Sequence, residues 1–277
     1  MTHPIDQTYL QTEQYKDSSN LHARLQIHER FSTNPYGWHR WVFEQLDLPA
    51  KSDTLELGCG PGDLWLKNSH RIPNGWSITL SDFSPGMVEE AQVRLAGSDH
   101  SFVFAVFDAQ CVPFAAESFD GVIANHMLYH VPNVQKALSE IRRVLRPGGR
   151  FYAATNGCDH LRELEELCSK FDPESYREAH DTIGGLMTDR GFSLENGHEL
   201  LSPWFSQVDV RRYKDGLVIT EVEPLLAWAR SWAEPFFPGD KFKAFLQFLE
   251  QEMTTQGAIH VTKDPGMFVA LWEERPV

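Results

Sequence analysis

The stretch that most constrains this chain is Ser-Asp-Thr-Leu-Glu-Leu-Gly-Cys-Gly-Pro-Gly at residues 52–62. Thr54-Leu55-Glu56-Leu57 has the character of a short buried strand with one acid near its end. Gly58-Cys59-Gly60-Pro61-Gly62 follows at once, and Asp63 opens a short helical stretch. A strand that runs through a glycine-dense turn into a helix lets a ligand approach the backbone. The glycines remove Cβ atoms and permit φ > 0, and the helix start leaves N–H groups unpaired. The bland alternative is a strand-to-helix turn that serves packing alone.

The segments that follow give the turn its context. Residues 77–81 read as a second strand ending at Asp82, and Ser84-Pro85 is a helix start, with a capping hydroxyl before a proline at the first helical position. Met87, Val88, Ala91 and Leu95 make that helix's apolar face. Phe102 to Phe107 is a near-continuous apolar run ending at Asp108, the pattern of a parallel strand buried on both faces. Residues 121–124 form a fourth strand ending at Asn125. Val134, Ala137, Leu138, Ile141, Val144 and Leu145 then give the cleanest helical stripe, capped by Asn133, and residues 150–155 form strand five. This β-α-β-α series predicts a doubly wound, parallel α/β sheet, with ligands at the carboxyl ends of its strands. Asp82, Asp108 and Asn125 all fall at such ends.

Before the first strand, Leu21, Leu25 and His28 form a helical stripe, and 37–46 read as a second helix packed on the sheet. After residue 155 the pattern is looser. It includes a helix near 159–170, a helix or loop over 181–191, strand material at 205–210 and 217–219, helical sequence over 222–256 and a last strand at 268–272. No internal repeat or linker interrupts the 277 residues, so a single domain is expected.

Composition narrows the class. With 42% hydrophobic residues the chain can bury a sizeable core. No segment reaches the ~18 consecutive apolar residues of a membrane span, and the polar N-terminus lacks a signal-peptide core. A cytoplasmic protein with no membrane partner is expected. The formal net charge of −14 repels phosphate backbones, and no basic run exceeds two residues, so a small-molecule substrate is expected rather than nucleic acid. The four cysteines show no metal-ligand spacing, which predicts reduced thiols and no metal site. Oligomeric state is left open.

Two ligand classes use a glycine turn of this kind: dinucleotides, and S-adenosylmethionine (SAM). The spacing Gly58-x-Gly60-x-Gly62 differs from the G-x-G-x-x-G dinucleotide fingerprint. Glu56 adds negative charge where a pyrophosphate would lie, but it suits the ammonium and sulfonium of SAM. Asp82 lies about 20 residues beyond the glycine turn, where an acid can accept both ribose hydroxyls.

Glu-Leu-Gly-Cys-Gly-Pro-Gly at 56–62 resembles motif I of the class I SAM-dependent methyltransferases. The resemblance extends over about residues 15–155, through Asp82-Phe83-Ser84-Pro85-Gly86-Met87, Asp108-Ala109 and His130-Val131-Pro132. Within that class the chain is most similar to the small-molecule enzymes of the quinone-biosynthesis type (methyltransferase type 11). No Asn-Pro-Pro-aromatic run follows strand four, so amino-methylating enzymes of DNA are not indicated.

The resemblance implies a mostly parallel seven-stranded sheet with lid helices over 1–48, a SAM-binding core over 49–155, and remaining strands plus substrate-side helices (about 222–256) over 156–277. It implies cofactor contacts from Glu56, Gly58, Cys59 and Gly60. Asp82 would hold the ribose, Phe83 and Met87 would flank the adenine, and Asp108 with the Ala109 N–H would hold the adenine edge. The Asn125 carbonyl would take the ammonium, with Tyr15 and Arg24 on a lid and Arg24 on the methionyl carboxylate. His126 and His130 would lie near the methyl group, His126 as a candidate general base. For His130 a packing role at the helix entry is the alternative. The expected activity is methyl transfer to O, N or C of a metabolite, giving S-adenosylhomocysteine (SAH). A SAM-binding regulatory or assembly protein without transfer activity is the second reading. An NAD-dependent oxidoreductase is the third.

Overall fold

A computed structural model of the chain describes residues 16, 19–183, 191–231, 233 and 237–273. Helix α1 (Ser19–Phe31) and helix α2 (Trp38–Gln45) precede the sheet. Then come β1 (Lys51–Leu57), the short α3 (Asp63–Leu66), β2 (Gly75–Asp82), α4 (Pro85–Leu95), β3 (Phe102–Val106) and β4 (Phe119–Asn125). Helix α5 (Val134–Val144) leads into β5 (Leu145–Asn156). The remainder comprises α6 (Arg162–Phe171), α7 (Pro173–Ile183), α8 (Gly197–Leu201), β6 (Gln207–Arg212), β7 (Asp215–Ile219), α9 (Val222–Arg230), α10 (Asp240–Gln256), β8 (Ile259–Lys263) and β9 (Pro265–Leu271).

Seven strands form one sheet in the order β3-β2-β1-β4-β5-β9-β6. The first five are parallel, and β9 runs antiparallel to both β5 and β6. The order reverses beside β1, between its neighbours β2 and β4, so the glycine turn leaves the sheet at the switch point where ligands bind in such folds.

Each face of the sheet has its own core. The stripe of α5 packs with Leu55, Leu57, Val122 and Phe151 on one face. On the other, Val42 and Phe43 of α2 meet Trp65, Ile78, Leu80, Ile123 and Tyr152. The Asn133 Oδ1 accepts the Lys136 N–H at 3.0 Å, the cap expected from the sequence. Likewise Ser84 caps α4 through the Met87 N–H.

Three features depart from the sequence pattern. The Phe102–Phe107 run does not form a strand buried on both faces: β3 is the sheet edge, and Val103 is 60% exposed. Its apolar residues reflect β-propensity and one packed face, not central placement. Residues 217–219 do not join the main sheet. They lie in β7, which pairs antiparallel with β8 as a separate two-stranded ribbon, and β8 left no distinct signal in the sequence. The helical sequence over 222–256 is two helices, α9 and α10, separated near Gly239. The ribbon, α1, α6, α9 and α10 share a third core, with Ile27, Phe31, Leu217, Trp228, Phe245 and Val261 among its members.

The end of β1 is held close to the end of β4. Gly58 has φ +66°, and a Cβ placed on it would stand 2.6 Å from the Cβ of Met127. Backbone strain and collision therefore act together. Gly58→Ala should destabilise the fold by about 1–3 kcal/mol, seen as a drop of several degrees in Tm by calorimetry. An unchanged Tm would mean that the β1 and β4 ends are not packed this tightly.

Candidate active site

The ends of β1, β2, β3 and β4 open into a cavity of about 710 Å³, roofed by α1 and α2 and extended by the β7–β8 ribbon. Every sequence-derived site residue within the described part borders it: Arg24, Glu56, the turn at 58–60, Asp82, Phe83, Met87, Asp108, Ala109, Asn125, His126 and His130. Tyr15 lies outside the described residues.

Asp82 organises the near end. One carboxylate oxygen accepts the Gly60 N–H and the other accepts the Ser84 N–H, each at 2.9 Å. It thereby ties the glycine turn to the start of α4, with lone pairs remaining for a ligand. Burial raises its pKa above the ordinary aspartate value, and these backbone donors work against that rise. Arg94 fixes the far side of the turn through the Pro61 carbonyl and the Asp63 carboxylate. Asp108 is oriented by the Gln110 N–H and side-chain amide.

Glu56 is 1% exposed. Its Oε2 accepts the Trp65 indole N–H at 2.6 Å. Burial pushes its carboxyl up to about 8; the indole opposes this, while the Asp82 and Asp63 charges add to it. A buried acid placed beside other acids, with no basic side chain bonded to it among the described residues, is a site that a cation would relieve.

His126 leaves β4 with φ +58°, a conformation uncommon for a non-glycine residue, while its N–H still bonds the Ala154 carbonyl at 3.1 Å. The backbone thus turns the imidazole out of the sheet and against Trp38, at a ring separation of 4.9 Å. Trp38 also donates to the Asn125 Oδ1 at 3.3 Å and meets Tyr213 edge-on. Tyr129 and His130 pack edge to face at 4.5 Å on the short 3₁₀ turn after His126.

The sequence reading missed the far end. There the wall is built by His28, His160, Asp215 and Lys263, with Trp38 between the two ends. Trp38 lies in the 37–46 segment, which the sequence assigns only to a helix packed on the sheet. Asp215 and Lys263 are 48 residues apart in sequence and meet only through the ribbon pairing, so no local pattern could reveal them.

This fold and turn define the class I methyltransferase architecture, and the comparisons agree. Residues 55–153 match the methyltransferase domain family. The chain is 34% identical over 116 residues to a demethylmenaquinone methyltransferase of Symbiobacterium thermophilum, covering 41% of this chain and 46% of that one. It is 32% identical over 148 residues to a malonyl-[acyl-carrier protein] O-methyltransferase of Enterobacter lignolyticus, covering 50% and 56% respectively. It therefore spans about half the length of the curated relatives it matches. The structure superposes on a Haemonchus contortus phosphoethanolamine N-methyltransferase 2 in complex with SAM with a TM-score of 0.59 and 20% identity, over 96% of this chain and 60% of that one.

The Glu56 carboxyl gives a stability test. Its folded pKa lies near 8, above the ordinary glutamate value of 4.5. Between those values the unfolded chain is ionised while the folded one holds its proton, so stability falls as pH rises through that window. Glu56→Gln removes this dependence. The Tm of the variant relative to wild type should rise from pH 5 to pH 8. A constant difference would place Glu56 in a solvated environment.

Proposed function

We propose that this chain transfers a methyl group from SAM to a small-molecule acceptor. The observation that carries the reading is the convergence of the glycine turn, the buried Glu56 and the strand-end acids Asp82 and Asp108 on one cavity. Its volume lies within the ~300–1,000 Å³ usual for small-molecule sites. The names of the relatives favour a transferase over a binding protein without activity. Among the described residues no helix is long and apolar enough to cross a membrane. The free cysteines suit a reducing, cytoplasmic setting, and the charge of −14 disfavours nucleic-acid substrates.

When bound, SAM supplies an electrophilic methyl group on a positively charged sulfur. Glu56 would face its ammonium end through the glycine turn, Asp82 its ribose and Asp108 with Ala109 its adenine. Phe83 and Met87 provide apolar walls. The aromatic roof of Trp38, Tyr129 and His126 excludes water and holds the acceptor in line. His126 stands where chain leaves the sheet, and for a hydroxyl acceptor it would take the proton.

Calorimetry with SAM, SAH and NAD tests the reading. SAM and SAH should bind and NAD should not; NAD binding without SAM would overturn it. SAM binding should release a proton near pH 7, because a cation favours the ionised form of Glu56. Affinity should then rise with pH up to about 8 and level off. Heats measured in buffers of different ionisation enthalpy report this directly, and binding without proton release would separate Glu56 from the bound cation. With an acceptor in hand, His126→Ala should lower kcat by ~10²–10⁴-fold and leave SAM affinity nearly unchanged. Wild-type turnover in that variant would leave positioning as the whole of its role.

A further inference from the structure

The cavity differs in composition along its length. Glu56, Asp63, Asp82 and Asp108 border it around the glycine turn, with Lys67 beside Asp63. The wall made by α1, the connection after β5 and the β7–β8 ribbon carries Arg24, His28, His160 and Lys263, with Glu29 and Asp215 as its acids. Acids at one end suit a cationic ligand. The other end is mixed in charge and holds a buried ion pair, Lys263 with Asp215.

Lys263 is the unusual residue there. Its side chain is only 8% exposed, and that of its partner Asp215 is 1% exposed. The ammonium bonds Asp215 at close range and has no other hydrogen-bond partner among the described residues. Asp215, by contrast, is saturated. It accepts from the Ser32 hydroxyl at 2.8 Å, the Asn34 N–H at 3.1 Å and the Gly216 N–H at 2.8 Å as well as from Lys263. Its charge is thus spread over several donors, while two of the three ammonium protons remain uncommitted. A buried charged donor left without acceptors is costly.

The neighbours favour a negative guest. The Asp264 N–H donates to His160 Nδ1 at 3.2 Å, which places the His160 proton on Nε2 as a further donor. His28 stacks on His160 at 5.9 Å and stays neutral, its pKa pushed down to about 3 by burial and then by the Lys263 charge. A neutral His28 beside the ammonium adds no positive charge that would compete for a counter-ion.

We propose that Lys263, positioned by Asp215, anchors an anionic oxygen group of the methyl acceptor, a carboxylate or a phosphate, in the compartment between α1 and the β7–β8 ribbon. The proposal rests on the methyltransferase reading for the identity of the guest, and it makes the acceptor a small anion whose methylated atom lies toward His126.

The test is titration of the full chain, with and without SAH, with three probes of similar ring size: benzoate, phenyl phosphate and neutral benzyl alcohol. At least one anion should bind about tenfold or more tightly than the alcohol, the range of a charged hydrogen bond. Which anion is preferred separates carboxylate from phosphate. Lys263→Met alone strands the buried Asp215 and can fail to fold. The paired variant Lys263→Met with Asp215→Asn removes both charges together and should abolish the anion preference while SAH still binds. Equal affinity for alcohol and anions in the wild type overturns the proposal, as does an anion preference that survives in the paired variant. Failure of SAH to bind the wild type overturns the methyltransferase reading separately, since the probe titrations without SAH stand by themselves.

Discussion

The site depends on one carboxylate that holds two pieces of backbone at once. Asp82 receives the Gly60 N–H on one oxygen and the Ser84 N–H on the other. Arg94, from the last turn of α4, adds a second tie through the Pro61 carbonyl and the Asp63 carboxylate. The Cys59 N–H to the Ser81 carbonyl, at 2.9 Å, continues the sheet's hydrogen bonding one residue into the turn. The glycine turn is therefore a rigid extension of the sheet, and an approaching ligand meets preformed backbone geometry. Preorganisation of this kind lowers the ordering cost of binding.

Much of this core was legible because it is local. The β1 turn, the Ser84 cap and the Asn133 cap each depend on residues within a few positions of one another. The parallel order follows from alternating strand and helix signals. The fate of Phe102–Phe107 was not legible, because an apolar run reports strand propensity and not its rank in the sheet. Whether a strand is central or marginal depends on partners elsewhere in the chain, and β3 has β2 on one side only. The compartment between α1 and the β7–β8 ribbon was hidden for the same reason. His28 reads as part of a helical stripe, and Lys263 carries no sequence signal of its own. Only the pairing of β7 with β8, and of both with α1, makes them neighbours.

The acids around the glycine turn show why motif reading and structure complement one another. The sequence places Glu56 beside the turn and assigns it to a cation. The structure adds that Glu56 faces away from Leu55 and Leu57, on the sheet face that carries Trp65, where its carboxyl is enclosed and bonded by the indole. An acid in that setting holds its proton up to about pH 8, and a cationic partner favours its ionised form. The period-two alternation of β1 decides this, since it puts Glu56 opposite its two apolar neighbours.

Helix α1 does not close over the cavity as a free flap. Ser32 bridges to Leu217, the Thr33 N–H bonds the Gly216 carbonyl at 2.9 Å, and Ser32 and Asn34 hold Asp215. A segment that comes before the sheet in sequence is thus stitched to a ribbon that comes after most of it. The chain encloses its α/β core between two interlocked ends. Under the proposed function, acceptor choice would for that reason be a joint property of those segments. A new specificity grafted through the C-terminal half alone would bring Asp215 and Lys263 to a helix that was never fitted to them.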